Sequence, residues 1–238
     1  MAAASNDKLA VLIDADNAQA SLIHELLAEV SRYGTASIKR AYGDWTTTNF
    51  KGWKEVLHKM AIQPMQQFSY TTGKNSTDSS LIIDAMDLLH AGSLNGFCLV
   101  SSDSDFTRLA TRIREAGLIV YGFGERKTPL SFVAACDKFI YTEILKLQPT
   151  AVVGAEVQPS EPLEPMLRAA IAATARDNGW AALSAVGSMV LKNSPSFDPR
   201  NYGSQKLGEL VRKQSYLEVK EVPIADGSTN VHLHVRLT

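Results

Sequence analysis

Cysteine, net charge and long apolar runs are all scarce in this chain, and each scarcity removes a class of answer. Cys98 and Cys136 are the only two cysteines among 238 residues. They are too few for a disulfide framework or a zinc finger, and both lie beside apolar residues, so buried free thiols in a reducing compartment are expected. The 24 Lys and Arg against 25 Asp and Glu leave a net charge of −1. No global polycation therefore draws in nucleic acid, and positive charge for such a partner has to be local or carried by a metal. The apolar runs fall far short of a bilayer span, and the opening MAAASNDKLA lacks a basic stretch followed by an apolar one. The expectation is no membrane span and a cytoplasmic location. Gly122 and Gly124 do not make a dinucleotide fingerprint, because the strand-to-helix G-x-G-x-x-G is absent. The five histidines (His24, His58, His90, His232, His234) have no zinc-type spacing and read as structural or surface residues. No Ser, Cys or His triad is evident.

What is present is ordinary globular composition, 45% apolar and 21% charged, in a length that suits one or two domains. Through the first 145 residues, apolar runs alternate with amphipathic helical patterns. Leu9–Ile13 ends at Asp14, and Leu22, Ile23, Leu26, Leu27 and Val30 then follow at helical spacing up to a stop at Gly34. Ala36–Tyr42, a helix around Phe50–Met60 and an extended Ile62–Phe68 come next; after a polar loop, Leu81, Ile82, Ala85, Met86 and Leu89 mark another helix. Phe97–Val100, a helix ending at Gly117, Leu118–Phe123 and an edge strand at Phe139–Tyr141 complete the series. Repeated β-then-α order with unbroken apolar strands predicts an α/β fold, a parallel sheet with helices on both faces. Pro149, Pro159, Pro162 and Pro165 then mark a linker. Beyond it, helices over Leu163–Asn178, Leu183–Leu191 and around Leu207, Leu210 and Val211 precede strands Tyr216–Val222 and Val231–Leu237, joined by an Asp226-Gly227 turn. Three helices and a hairpin give the order of a winged helix-turn-helix. The expected division is a first domain over 1–148, a linker over 149–162 and a small second domain over 163–238.

Ligands of an open parallel sheet bind beyond the carboxyl ends of its strands. Asp14 follows the first strand, Asp103 and Asp105 follow Phe97–Val100, and Asp78 opens a helix after the polar loop, so all four should meet on one rim. Clustered carboxylates repel one another, and a hard cation such as Mg²⁺ or Mn²⁺ offsets that repulsion. The competing reading is helix capping, worth about 1 kcal/mol per cap. One cap per helix suffices, whereas the pairs Asp14/Asp16 and Asp103/Asp105 supply an excess. Spacing leaves the reaction open. LIDADNA is also similar to the opening of haloacid-dehalogenase-type phosphatases, for which Thr47 and Lys74 are weak supporting candidates, and Asp103–Asp105 to the DxD of Toprim domains, which want a glutamate after the first strand.

Taken together, VLIDADNA, YGDW, GKNSTDSSLIIDAMDLL and LVSSDSDFTRLATRIREAGLIVYGFGERKTPLSFVAACDKFIY resemble the NYN domain, of the LabA-like branch of the PIN-like nuclease fold. The resemblance covers roughly residues 8–145 with all motifs in order. It implies a Mg²⁺- or Mn²⁺-dependent ribonuclease site in which Asp14, Asp78 and Asp103 form the metal-binding core. Asp105 completes the last motif and Asp44 is an outer acidic member. Asn17 orients Asp14 or a phosphate, and Lys74 and Asn75 contact the scissile strand. Ser102 stands where the family usually has glycine, a change that removes no ligand. In the same way GWAALSAVGSMVLKNSPSFDPRNYGSQKLGELVRKQSYLEVKE resembles the OST-HTH/LOTUS domain, which implies binding to RNA or to a protein partner. Arg200, Lys206, Arg212 and Lys213 around its third helix are the candidates for phosphate contact, against the reading that they are simply solvated. Tyr202 and Phe197 read as core anchors, Asp84 as a structural hydrogen-bond partner, and Trp45 and Trp53 as either packed or base-stacking. Expectation is thus an RNA-cleaving enzyme, with a catalytically weak RNA-binding regulator as the alternative and a homo-oligomer left open.

Overall fold

The computed structural model describes residues 6–47, 50, 52–68, 76–146, 161–223 and 231–238. It divides into two compact units, Met1–Lys146 and Leu147–Thr238. The first contains β1 (Lys8–Asp14), α1 (Ile23–Val30), β2 (Thr35–Gly43), α2 (Trp53–Lys59), β3 (Gln63–Gln66), α3 (Ser76–His90), β4 (Gly96–Val100), α4 (Thr107–Glu115), β5 (Ile119–Gly124), α5 (Leu130–Ala135) and β6 (Lys138–Tyr141). Its six strands lie in the order β3-β2-β1-β4-β5-β6 with every neighbouring pair parallel.

The unbroken apolar run of β1 has a direct cause. Ala10 and Leu12 enter a core shared with Leu81 and Ala85 of α3, Leu109 of α4 and Phe132 of α5. Leu9, Val11 and Ile13 enter the opposite core with Ile23 and Leu26 of α1 and Trp53 of α2. A strand buried on both faces cannot alternate with polar residues. The chain leaves β1 toward β2 and β3 but leaves β4 toward β5 and β6, which makes the β1–β4 junction the topological switch point of the sheet. Asp14 and the segment after Val100 both emerge there.

Two glycines behave differently from each other. Gly117, at φ +82°, ends α4 in the left-handed region as expected. The expected stop at Gly34 has another basis: α1 already ends at Val30. A Cβ on Gly34 would lie 2.4 Å from the carbonyl oxygen of Asp7, so glycine there permits the close approach of β2 to β1.

The second unit holds α6 (Leu163–Thr174), β7 (Ala181–Ala182), α7 (Leu183–Asn193), α8 (Leu207–Arg212), β8 (Leu217–Pro223) and β9 (Val231–Leu237), with an antiparallel sheet ordered β7-β9-β8. Leu167, Ile171, Val186, Val190, Leu210, Val211 and Val235 form its core. It is the winged arrangement of three helices and a hairpin. The first helix stops at Thr174, short of the expected Asn178, because Ala175 turns extended and Gly179 (φ +78°) closes a turn into β7. Two alanines carry no alternation, so β7 was invisible to periodicity. The Asp226-Gly227 turn and linker residues 149–160 lie outside the described residues. Among the described residues no helix is long and apolar enough to cross a membrane.

Candidate metal centre

Asp14, the last residue of β1, is fully buried. Its Oδ2 accepts hydrogen bonds from Asn17 Nδ2 and Ser101 Oγ, both at 2.7 Å, and its Oδ1 accepts from the Asp16 amide at 3.2 Å. Burial pushes its carboxyl above the ordinary range, while the Ser101 and Asn17 donors pull it back. Ser101 in turn accepts from the Asp103 amide at 3.1 Å, so one hydroxyl ties the end of β1 to the segment after β4.

Asp78 in the first turn of α3, Asp103 and Asp105 each bring a carboxylate oxygen within 4.8 Å of the others. Asp78 is pushed up to about 6, first by burial and then by the charges of Asp14, Asp103, Asp105 and Asp16. Among the described residues no Lys or Arg forms an ion pair with Asp14, Asp78, Asp103 or Asp105. No protein cation among the described residues therefore neutralises the negative charge at this rim. All the donor atoms are hard carboxylate oxygens, the set that Mg²⁺ and Mn²⁺ prefer while keeping waters of their own. The residues present fit such an ion.

The arrangement redistributes the expected roles. The cluster is Asp78, Asp103 and Asp105, whereas Asp14 lies outside it, held by its own hydrogen bonds and acting on Asp78 through charge. Asp103 accepts from the Asp105 amide at 2.9 Å and caps the short 3₁₀ turn Ser104–Phe106. Asp105 itself is exposed and its carboxylate faces the cluster. Asn17 does orient Asp14. Asp44 is not part of the cluster; its Oδ1 accepts from the Thr46 amide and hydroxyl and from Gln66 Nε2 (3.2, 2.6 and 2.9 Å), which fixes the turn after β2. Thr47 donates to the Asp44 carbonyl in that same turn. Lys74 and Asn75 lie outside the described residues. Asp84 accepts from Arg40 and Tyr42, a structural pairing as expected. Trp53 is buried in the core, while Trp45 is half-buried with its indole Nε1 bonded to the Met65 carbonyl at 3.0 Å.

Sequence reasoning missed Ser101 and the part played by Ser102. Ser101 is the link described above, and Ser102, in the glycine position, accepts from the Glu125 amide at 2.8 Å, so its hydroxyl fastens the tip of β5 to the segment after β4. In the second unit three of the four candidate cations are engaged internally. Arg200 forms a bidentate pair with buried Asp198 at 2.9 and 2.8 Å, Lys213 donates to Gly203 and Ser204, and Arg212 pairs with Glu221. Lys206, at the start of α8, is exposed. Phe197 is buried with its ring 5.8 Å from that of Tyr202, and Tyr202 donates to the Glu161 carbonyl, so both are anchors of the turn.

Comparison with known proteins agrees with this division. The NYN domain profile matches residues 8–145, and the OST-HTH/LOTUS domain profile matches 158–228. Among solved structures, a protein of unknown function from Vibrio parahaemolyticus is similar at 19% identity and a TM-score of 0.48, covering 58% of this chain and 94% of its own. A solution structure of residues 175–257 of a Chromobacterium violaceum protein is 46% identical over 34% of this chain and 84% of its own, with a TM-score of 0.27. An uncharacterized Nitrosomonas europaea protein is 33% identical over 38% of this chain and 85% of its own, with a TM-score of 0.32. A search of the curated proteins found no match.

Proposed function

This chain belongs to the NYN-domain family, and from that premise we propose that it hydrolyses RNA phosphodiesters at its aspartate cluster with Mg²⁺ or Mn²⁺ held there. The observation that carries the reading is the convergence of Asp78, Asp103 and Asp105, with no cation paired to them among the described residues. When bound, the divalent ion supplies positive charge to the attacked phosphate and acidifies water. The chain's own residues do the rest. Asp78, Asp103 and Asp105 hold the ion at the switch point of the sheet, and the Asp103 cap fixes the backbone that presents two of them. Asp14, locked by Ser101 and Asn17, adds negative charge beneath the rim and positions the Ser101–Asp103 segment. The OST-HTH/LOTUS unit supplies an RNA- or partner-binding module, and a homo-oligomer is compatible with this scheme. The buried free thiols Cys98 and Cys136 suit a reducing, cytoplasmic setting.

The test is a cleavage assay on single-stranded and structured RNA with Mg²⁺, Mn²⁺ or chelator. Asp103→Asn and Asp14→Asn should each abolish metal-dependent cleavage while the fold persists. Cleavage that survives in both variants and in chelator overturns the assignment. One observation favours a second reading, an RNA-binding regulator with a silent site: the buried Asp14 carboxylate is already occupied by protein donors. That reading expects RNA binding without turnover in the same assay, and binding lost on deleting 163–238.

A further inference from the structure

Beside the aspartate rim, α2 and the edge strand β3 enclose a groove of about 820 Å³ that the proposed chemistry does not use. Trp45, Phe50, Leu57, Ile62, Lys54 and His58 are among the residues that line it. No carboxylate lines it among the described residues, although the neighbouring rim is crowded with them.

Four features of this groove point to one ligand. Its aromatic wall is rigid: Trp45 is fixed by its bond to the Met65 carbonyl and packs on Phe50 and Trp53 at centroid distances of 4.9 and 6.0 Å. Lys54 and His58 stand four residues apart on α2, hence on one face and about one helical turn, ~5.4 Å, apart along it. Both are exposed, and neither is in an ion pair among the described residues. Phe50 also brings one end of the groove near the residue after Asp14. Phe50 packs on Gly43, where a Cβ would meet both Phe50 (3.0 Å) and Ala15 (3.6 Å), the residue after Asp14. In the sheet, Asp14 is in register with Tyr42 and Tyr42 with Met65, so two strand spacings, about 10 Å, separate the backbones of Asp14 and Met65. The groove's Pro64 and Gln66 flank Met65 on the α2 face of the sheet.

We propose that this groove is the track for single-stranded RNA flanking the cleaved phosphate, with a base against Trp45 and Phe50 and the next phosphates against Lys54 and His58. Aromatic platforms joined to a cationic strip are how single strands are held without sequence preference. A protein partner seated on an exposed edge strand would find pairing groups along β3, yet it would not call for the exposed Lys54 beside an aromatic wall.

The proposal rests on the ribonuclease reading for its ligand, and its test separates the two. Oligoribonucleotides carrying 5-iodouridine at successive positions are cross-linked to the full chain in chelator, where no turnover occurs, and the modified residues are mapped. Cross-links at Trp45 or Phe50 are expected. Trp45→Ala should weaken binding by about fivefold to a hundredfold, the worth of one stacked base. Because Trp45 also packs internally, exposed Lys54→Ala serves as the second variant; it should keep the wild-type melting temperature and lower the salt dependence of binding by about one charge. Cross-links confined elsewhere, with Lys54→Ala binding unchanged, overturn the track even if Asp103-dependent cleavage persists. Cross-links at Trp45 without such cleavage support the track and sink the ribonuclease reading alone. Self-association lost in Leu57→Arg, with RNA binding intact, assigns the groove to a second copy and also overturns the track.

Discussion

Replacing Asp78 by Asn should stabilise the protein in chelator at neutral pH, and the size of the effect follows from the cluster. Moving a carboxyl from its ordinary 3.8 to about 6 corresponds to about 3 kcal/mol at 1.36 kcal/mol per tenfold. Asp78 is only partly buried, so solvent screening reduces this to about 1–2 kcal/mol. Against it stands the first-turn position in α3, where a carboxylate gains about 0.3–1 kcal/mol from the helix dipole that Asn forfeits. The net is about 1 kcal/mol in favour of Asn, or about 2–4 °C in the melting of a chain this size.

The direction with pH is fixed by linkage. Between 3.8 and about 6 the folded state holds the Asp78 proton more tightly than the unfolded chain, so stability falls as pH rises through that window. The penalty is complete above it and absent below it. Asp78→Asn and wild type should therefore melt several degrees apart at pH 7.5 and converge near pH 4, apart from the dipole difference, which also vanishes once Asp78 is protonated. Mg²⁺ at a hundredfold excess over its dissociation constant adds about 2.7 kcal/mol to wild type, and Asp78→Asn should show much less. Thermal unfolding by circular dichroism, in chelator and in Mg²⁺ at both pH values, reads all four quantities. An Asn variant that melts below wild type in chelator at pH 7.5, or an offset unchanged between the two pH values, would refute the argument that these carboxylates repel one another.

Four further substitutions probe the supports. Ser101→Ala removes the donor to buried Asp14 and the acceptor of the Asp103 amide; a urea titration should show a loss of about 1–3 kcal/mol, and an unchanged midpoint would deny Ser101 its linking role. At Gly122 a Cβ would meet Phe139 at 2.4 Å and Cys136 Sγ at 2.7 Å, so Gly122→Ala should cost about 1–3 kcal/mol through overpacking, again read from the urea midpoint. Arg200→Ala removes the guanidinium that pairs with the Asp198 carboxylate, 7% exposed, and should destabilise the second unit by about 1–3 kcal/mol, whereas Lys206→Ala should leave its melting unchanged. Lost RNA binding in Arg200→Ala would then report unfolding, while lost binding in Lys206→Ala would report contact.

The sheet was legible because its strands are unbroken apolar runs, and only burial on both faces makes such runs. Chain order then supplied the parallel pairing. Local chemistry at the ends was harder to read. Gly34 looks like a helix stop in sequence, but its reason is the Asp7 carbonyl 2.4 Å from a would-be Cβ, a contact between strands that no local pattern records. The two-residue β7 failed for a related reason, since Ala181–Ala182 earns its place only by pairing with His234 and Val235. Around α8 the sequence shows the charges but not their partners. Arg200, Arg212 and Lys213 have acceptors within their own unit, and a count of bases around a helix cannot show where their partners lie.

At the aspartate rim the missing information was side-chain direction. A strand end tells that Asp14 reaches the rim, but not whether it joins the cluster or sits beneath it. Strand parity carries part of the answer: Ala10 and Leu12 face α3 and α4, so Asp14 continues on the α3 side, toward Asp78. The same parity in β4, with Phe97 and Leu99 on that face, carries Ser101 to it as well. Ile13 is in register with Val100, so Asp14 and Ser101 must be neighbours, and a fully buried carboxylate beside a hydroxyl will take its proton donor. Once Asp14 is committed to Ser101 and Asn17, the remaining carboxylates at the rim are those of Asp78, Asp103 and Asp105. Asp105 thereby moves from an accessory position to the cluster, and a charge-neutral substitution there, Asp105→Asn, should weaken Mg²⁺-dependent thermal stabilisation as strongly as Asp103→Asn. An Asp105→Asn protein that responds to Mg²⁺ like wild type would return the third ligand position to Asp14.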